Sequence, residues 1–316
     1  MPTRKSPRKG SLQFWPRKRA EKFLPSVNWD AVSSKNVNNK KILKGFICYK
    51  AGMVSAAVKD STPNSMTKDK KIIIPATILE CPPIKILSAR FYKNGKAATE
   101  VLGESLEKEL KKKIKIPKKS KKFDDVKKEN FDDLRVLVYS VVKKSKIKKT
   151  PDIAEIGLSG SYEEKINFVK ENLGKEISAL TFFEKGDLVD VRGLTKGKGL
   201  QGPVKRFGIT LKAHKSEKGV RRPGSLGPWH PARVTFRVPM AGQVGLFTRI
   251  VYNNKIIDTG KEGKFKNLKN YGDVNSEYIL VKGSVQGPAK RQLLITQAMR
   301  ETKKQKKKGY EFLEAR

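Results

Sequence analysis

Between Thr195 and Arg222 the chain holds nine Lys/Arg against one acid, Glu217, with five glycines and a proline among them. A segment of that make-up cannot bury itself, because it has few apolar side chains to offset its ordering entropy and its like charges repel. It runs on through Gly227-Pro-Trp-His-Pro-Ala-Arg233 and holds both histidines of the chain, His214 and His230. Other residues must therefore build the body that carries it. Asp187-Leu-Val-Asp-Val-Arg192, just before it, reads as the carrying strand.

The 316 residues suffice for one large domain or two ordinary ones. Seventy Lys/Arg against 31 Asp/Glu give a net charge of +39. A fold with that much self-repulsion is relieved by a polyanion, and nucleic acid fits best because each phosphate contact also releases a condensed counterion. No membrane role is expected: no apolar run approaches the ~18–20 residues of a spanning helix, and the N-terminus lacks a signal peptide's apolar centre. Cys48 and Cys81, the two cysteines, lie in strand-like surroundings and read as small buried hydrophobes in a reducing compartment. With two histidines besides, no metal-ligand set is expected, and no cofactor.

In chain order, residues 1–40 form a basic N-terminal extension without helical or strand period, expected to be disordered in isolation. Within it Phe14 and Trp15 stand beside Arg17, Lys18 and Arg19, a grouping that can stack on unpaired bases while holding the backbone. Residues 41–96 read as the first part of a β-barrel. Gly45–Tyr49 is a strand, Ala51-Gly52 its turn and Met53–Val58 its return, followed by Lys71–Leu79 and Ile84–Tyr92; Pro75 is placed at an edge or bulge, and Asn94-Gly95 closes a tight turn. Residues 97–177 read as an α/β insertion. Val101, Leu102, Leu106 and Leu110 make a loose helical stripe, and Lys111–Lys128 carries ten lysines with Asp124 and Asp125, facing either solvent or RNA. Leu134–Val142 is a strand, and Ser161-Tyr-Glu-Glu164 caps a helix that runs to Leu173 and stops at Gly174. Residues 178–316 complete the barrel and contain the extended basic loop 195–247. There Thr248–Asp258 reads as a hairpin around Asn253-Asn254, Ser276–Val281 and Arg291–Thr296 as strands, and Lys303–Lys308 as a basic tail.

Gly197-Lys-Gly-Leu-Gln-Gly202 matches a dinucleotide-binding spacing after a strand, but no apolar-striped helix or well-placed acid follows. It misses the phosphate-loop pattern as well, because Lys198 stands where the second glycine belongs. Glycines that let backbone approach phosphates, with Lys196 and Lys198 neutralising them, are the better account. Neither histidine has a nucleophile or carboxylate at a signature spacing, so no catalytic residue is expected. Trp229-His230 reads as a stacking element at a loop tip, with a tryptophan closing one barrel end as the competing reading.

Phe183, Asp190, Gly193, Thr195, Gly197, Lys198, Gly199, Gly202 and Arg206 resemble, without a gap, the signature of the universal large-subunit ribosomal protein L-three family. Gly227–Arg233, followed by Ala241-Gly-Gln-Val-Gly245, is similar to that family's tryptophan-tipped loop in its archaeal and eukaryotic form. Arg8-Lys-Gly-Ser-Leu-Gln-Phe-Trp-Pro-Arg-Lys-Arg19 is similar to archaeal members. The resemblance implies a mainly β chain with an α/β insertion: a translation-protein-type β-barrel with long basic N-terminal and central loop extensions. It further implies a cytoplasmic, structural constituent of the large (50S) ribosomal subunit that is not an enzyme. Such a protein binds 23S-type ribosomal RNA near its 3′ end, nucleates assembly and extends its loop toward the peptidyl-transferase centre, beside ribosomal proteins L-fourteen and L-twenty-four-e. Expected RNA contacts are Trp15, Arg17, Lys18, Arg19, Lys196, Lys198, Arg206, His214, Arg221, Arg222, Trp229, His230 and Arg233. His214 falls where eukaryotic relatives carry a modifiable histidine, although Lys215-Ser-Glu-Lys218 departs from their spacing. The alternatives are a non-ribosomal RNA-binding assembly or translation factor using the same barrel, and a nucleotide-dependent enzyme built on Gly197–Gly202.

Overall fold

The strand that begins at Gly45 does not turn back at Ala51-Gly52. In the computed structural model it runs on as β1 (Gly45–Asp60), with a register slip between Lys50 and Gly52 that marks a bulge. The extra residue bends the strand instead of reversing it. The first half of β1 therefore pairs with β12 (Gln292–Gln297), while its second half pairs with β13 (Tyr310–Ala315). The structure describes residues 10–32, 42–103, 106–117, 126, 131–261 and 263–316. Met1–Lys9 and most of the Lys-rich run, including Asp124 and Asp125, lie outside the described residues.

Two compact units make up the chain: Met1–Glu21 with Leu194–Thr248, and Lys22–Gly193 with Arg249–Arg316. The second is the body. It is mainly β, as expected, and its principal sheet runs β12–β7 (Leu188–Leu194)–β10 (Thr248–Gly260)–β11 (Glu277–Lys282)–β2 (Lys71–Cys81)–β1–β13. Because β12 also pairs with β1, six of these strands form a closed ring of hydrogen-bonded neighbours, and β13 lies outside the ring. Pro75 sits one residue past the end of the β11–β2 ladder, which stops at Lys282 opposite Ala76, so its missing N–H removes no rung there.

A second sheet, β4 (Lys96–Leu102)–β3 (Ile84–Lys93)–β5 (Asp133–Ser140)–β6 (Ile153–Gly157), is antiparallel throughout. Ile84–Lys93 thus belongs to this smaller sheet and not to the ring; Pro82-Pro83 interrupts the chain between β2 and β3. Asn94 and Gly95 both have positive φ and close the β3–β4 hairpin as expected. That pairing carries Val101 and Leu102 into β4, so the expected helical stripe is a strand followed by a 3₁₀ turn at Lys108–Lys112. After β5 a single turn, α1 (Val142–Ser145), leads toward β6. Ser161 then caps α2 (Tyr162–Asn172): its hydroxyl accepts from the Glu164 N–H, the Glu164 carboxylate accepts from the Ser161 N–H, and Gly174 beyond the end has φ +78°.

The two-residue period of the strands lets a single strand feed two of the three hydrophobic clusters. In β11, Ile279 and Val281 join a cluster with Phe46, Leu294, Phe91 and Val138, while Tyr278 and Leu280 join Val58, Ile74, Ile78 and Phe265. Trp29 and Val32 are also buried in the first cluster, so the N-terminal extension is not uniformly a tail. Cys48 and Cys81 are buried free thiols. The end of the chain is ordered as well: α4 (Lys303–Lys306) and β13 replace the expected basic tail.

Asn253-Asn254 does not turn a hairpin either. Asn253 takes φ +56° inside the continuous β10, and its N–H donates to the buried Asp190 carboxylate at 2.9 Å. Asparagine tolerates that conformation, which here makes a kink within one strand.

Several acids in the body are matched to cations, while buried Glu80, Asp60 and Asp190 accept from hydroxyl and backbone N–H groups. Arg90 bridges Glu100 and Glu155, Arg135 meets Asp133 and Asp30, and Lys185 and Lys264 converge on buried Asp258 at 2.7 and 2.8 Å. Burial pushes the Asp258 carboxyl up, but hydrogen bonds from both lysines and Tyr278 outweigh it and leave it below the usual range. Its stabilisation is therefore complete above the unfolded-state value of about 3.9, and it is lost as pH falls through the lower folded value. Asp258→Asn is expected to lower the Tm at pH 6, with the gap to the parent closing between pH 4 and pH 2. Thermal melts across that range check this; a gap independent of pH would assign the loss to packing.

Candidate nucleic-acid interface

The long basic loop closes at its base through backbone rungs. Thr195 N–H donates to Phe247 C=O at 3.0 Å, and Lys198 N–H donates to Val244 C=O at 2.9 Å. In return Val244 N–H donates to Gly199 C=O at 2.9 Å. Beyond them β8 (Leu200–Gln201) pairs with β9 (Gly242–Gln243). Gly245 has φ +79°, and a Cβ placed there would overlap the Lys196 carbonyl, so only glycine fits where the two strands approach.

Gly202 and Pro203 then open α3 (Pro203–Phe207), which Gly208 ends at φ +63°. Five residues are too short for the long helix of a dinucleotide fold. Arg206, on α3, reaches the opposite side of the base. Its Nη1 donates to Met240 C=O at 3.0 Å and lies 3.4 Å from that of Ala241, and its Nε donates to Gln243 C=O at 3.3 Å. Burial draws its guanidinium below the ordinary arginine range. These donors are committed to loop carbonyls, so Arg206 is a brace of the loop.

The N-terminal arm belongs to the same unit. Ala20 N–H donates to Leu246 C=O at 3.0 Å. The Arg17 guanidinium lies 4.6 Å from the centre of the buried Phe207 ring, and the Trp15 and Phe236 rings are 5.3 Å apart. Segments almost two hundred residues apart thus form one body. All thirteen expected contact residues fall within it: Trp15, Arg17, Lys18 and Arg19 on the arm, and Lys196, Lys198, Arg206, His214, Arg221, Arg222, Trp229, His230 and Arg233 on the loop.

Its charge is almost unopposed. Residues 1–21 and 194–248 contain eighteen Lys/Arg and two acids, Glu21 and Glu217. Lys18 pairs with Glu21 at 3.3 Å. Lys196, Lys198, Arg221, Arg222 and Arg233 are exposed, and among the described residues their side chains make no hydrogen bond or ion pair. Trp229 is 88% exposed, which removes the reading of it as a barrel plug. Phe14, Trp15, Leu200, Leu211, Val234 and Phe236 are exposed as well, interleaving apolar faces with cations. Phe236 and Phe207 were not expected at the site. The signal was present in their placement beside Arg237 and Arg206, but ring-on-guanidinium contact cannot be told from core burial by sequence alone. No group of three or more His, Cys, Asp or Glu able to hold a metal occurs among the described residues.

The family described as "Ribosomal protein L3" matches residues 1–130 and 122–313. The chain is 41% identical over 312 residues to "Large ribosomal subunit protein uL3" of Methanocaldococcus jannaschii, covering 93% of this chain and 91% of that protein. It is 37% identical over 313 residues to the protein of the same name from Archaeoglobus fulgidus, covering 94% and 93%. The chain belongs to the ribosomal protein L3 family. It is of the archaeal type.

Seen in the fold, the signature residues divide into two jobs. Phe183 and Gly193 pack in the body, where a Cβ on Gly193 would overlap Leu293. Asp190 accepts from the Asn253 and Met299 N–H groups there. Thr195, Lys198 and Gly199 make the loop's rungs, and Arg206 braces it. Most of them build the scaffold of the interface and few are placed as its contacts.

Gly245→Ala is expected to open the loop base, at a local cost of about 1–3 kcal/mol for a strained backbone position. Limited proteolysis should then cut faster within 194–248 while the far-UV spectrum of the body stays unchanged. Unaltered cleavage would mean that the rungs do not set the loop's order.

Proposed function

We propose that the arm and loop unit is the surface by which this chain, a structural constituent of the large ribosomal subunit and not a catalyst, holds 23S-type ribosomal RNA. The observation that carries the reading is the concentration of eighteen cations against two acids in one unit, where the side chains of Lys196, Lys198, Arg221, Arg222 and Arg233 make no hydrogen bond or ion pair among the described residues. Packed RNA helices supply the counter-charge. Lys196, Lys198, Arg221, Arg222 and Arg233 neutralise phosphates and set position, and Trp15 and Trp229 stack on unpaired bases. His214 and His230, both exposed, offer ring nitrogens as further donors or acceptors.

In this reading the closed ring is the translation-protein-type barrel of the family, and 195–247 is its central extension. Trp229 is the tip that approaches the peptidyl-transferase centre. Binding near the 3′ end of the RNA nucleates assembly, because the arm and loop gain full order only when RNA neutralises them. Ribosomal proteins L-fourteen and L-twenty-four-e are the proposed protein neighbours. The family places the chain in the cytoplasm with the ribosome, and no described helix is long and apolar enough to cross a membrane.

Two variants test the proposal by different readouts. Lys196→Gln with Lys198→Gln should make the salt dependence of RNA binding shallower by about 1.5 in log–log slope, the value for two lost phosphate contacts. Trp229→Ala should leave assembly intact and alter tRNA affinity or drug sensitivity of the subunits, through loss of stacking worth about 1–3 kcal/mol per base. A chain that leaves the subunits in a high-salt sucrose gradient would instead be a cycling factor.

A further inference from the structure

The body carries a second concentration of positive charge, outside the arm and loop. Arg300, Lys303, Lys304, Lys306, Lys307 and Lys308 stand within nine residues whose one acid is Glu301. Lys306 pairs with Glu301 at 3.0 Å. Lys303, Lys304, Lys307 and Lys308 pair with no acid among the described residues. In sequence this is a tail, but the fold holds it as α4 and its flanks, pinned at both ends and from beneath.

At the leading end the Asn253 side-chain amide donates to Arg300 C=O at 2.9 Å, and Met299 N–H donates to buried Asp190 at 3.0 Å. At the far end Gly309 N–H donates to Thr62 Oγ1 at 3.1 Å, Ser61 N–H donates to Gly309 C=O at 3.2 Å, and β13 pairs with β1. Beneath, the buried Lys255 ammonium donates to Lys306 C=O at 3.0 Å and to Gln305 C=O at 3.4 Å. A buried cation under a row of exposed cations adds to their repulsion, and burial already draws the Lys255 amine below its ordinary range. Among the described residues, Glu301 on Lys306 and the charge of Asp187 near Lys255 offset only part of the arrangement. A counter-charge from outside is what makes it favourable.

We propose that Arg300–Lys308 is a second, preformed RNA-backbone site on the body, recognising consecutive phosphates, with Lys255 as the positioning residue that holds it in shape. Because the ordering cost is met on folding, the lysines bind phosphate without first fixing a flexible chain, unlike a disordered basic tail. An acidic protein segment is the competing occupant. Phosphates are favoured because the segment exposes no large apolar side chain of its own that a protein interface would use. The inference rests on the reading of the chain as an RNA binder.

The test uses the full chain and large-subunit ribosomal RNA. A variant with Lys303, Lys304, Lys307 and Lys308 all changed to Gln keeps its buried contacts. It should bind RNA with a salt slope shallower by about 3. It should also lose a hydroxyl-radical footprint that the Lys196→Gln/Lys198→Gln protein retains. Lys255→Met should lose the same footprint while retaining all six cations of the segment, which a purely electrostatic patch would not do. An unchanged slope and footprint in the fourfold variant, with the loop variant still impaired, would overturn this site alone; no effect of either would overturn the RNA-binding reading. Unchanged RNA binding with loss of a ribosomal protein from assembled subunits would assign the segment to a protein partner and also overturn the proposal.

Discussion

Like charge cannot be packed against like charge without a partner, and this chain has too few acids to compensate itself. The fold answers by separating its charges. Glu100, Glu155, Asp133 and Asp258 each meet one or more cations in the body, where burial would make an unpaired charge costly. The arm and loop carry the surplus at the higher density, +16 with Glu21 and Glu217 as the only acids in their sequence, while the longer remainder of the chain keeps +23. The other unit is thereby the one better suited to a polyanion.

Surplus charge alone would give a disordered tail. Order in the loop comes from groups that carry no net charge: the rungs between Thr195 and Phe247, the close approach at Gly245, and the turn at Gly208. Arg206 is the informative exception, because its guanidinium serves loop carbonyls. The same division recurs in the body at Arg300–Lys308, where Lys255 braces backbone carbonyls and Lys303, Lys304, Lys306 and Lys307 stay exposed. In both places one cation is used as internal structure so that its neighbours can face outward.

Much of this was legible. Period-two β-branched runs mark β2, β5, β11 and β12, Ser161 and Glu164 mark the start of α2, and Asn94-Gly95 marks a hairpin. Each is a local signal with a local cause. Two departures from the sequence pattern share one form: a residue that tolerates bending kinks a strand instead of reversing the chain. Ala51-Gly52 and Asn253 are bends inside long strands, because strands that pair with different neighbours along their length must kink between them. Whether a glycine or asparagine turns or kinks depends on which partner strand waits beyond it, and for β1 the partner β12 is more than two hundred residues away. Val101 and Leu102 show the same dependence: a weak helical pattern yielded to the hairpin that begins at Asn94.

By itself the sequence determined the polyanionic partner, the mainly β class, the basic loop with its tryptophan and the family signature. Those follow from charge, from two-residue periodicity and from spacing along the chain, which need no coordinates. Only the tertiary structure decided which strands close the ring, that the arm and loop are one unit, and that Arg206 and Lys255 are braces. It also turned the C-terminal lysines from a tail into an ordered element. These are outcomes of contacts between residues far apart in sequence, where burial and hydrogen bonding choose among local preferences that are nearly equal in free energy.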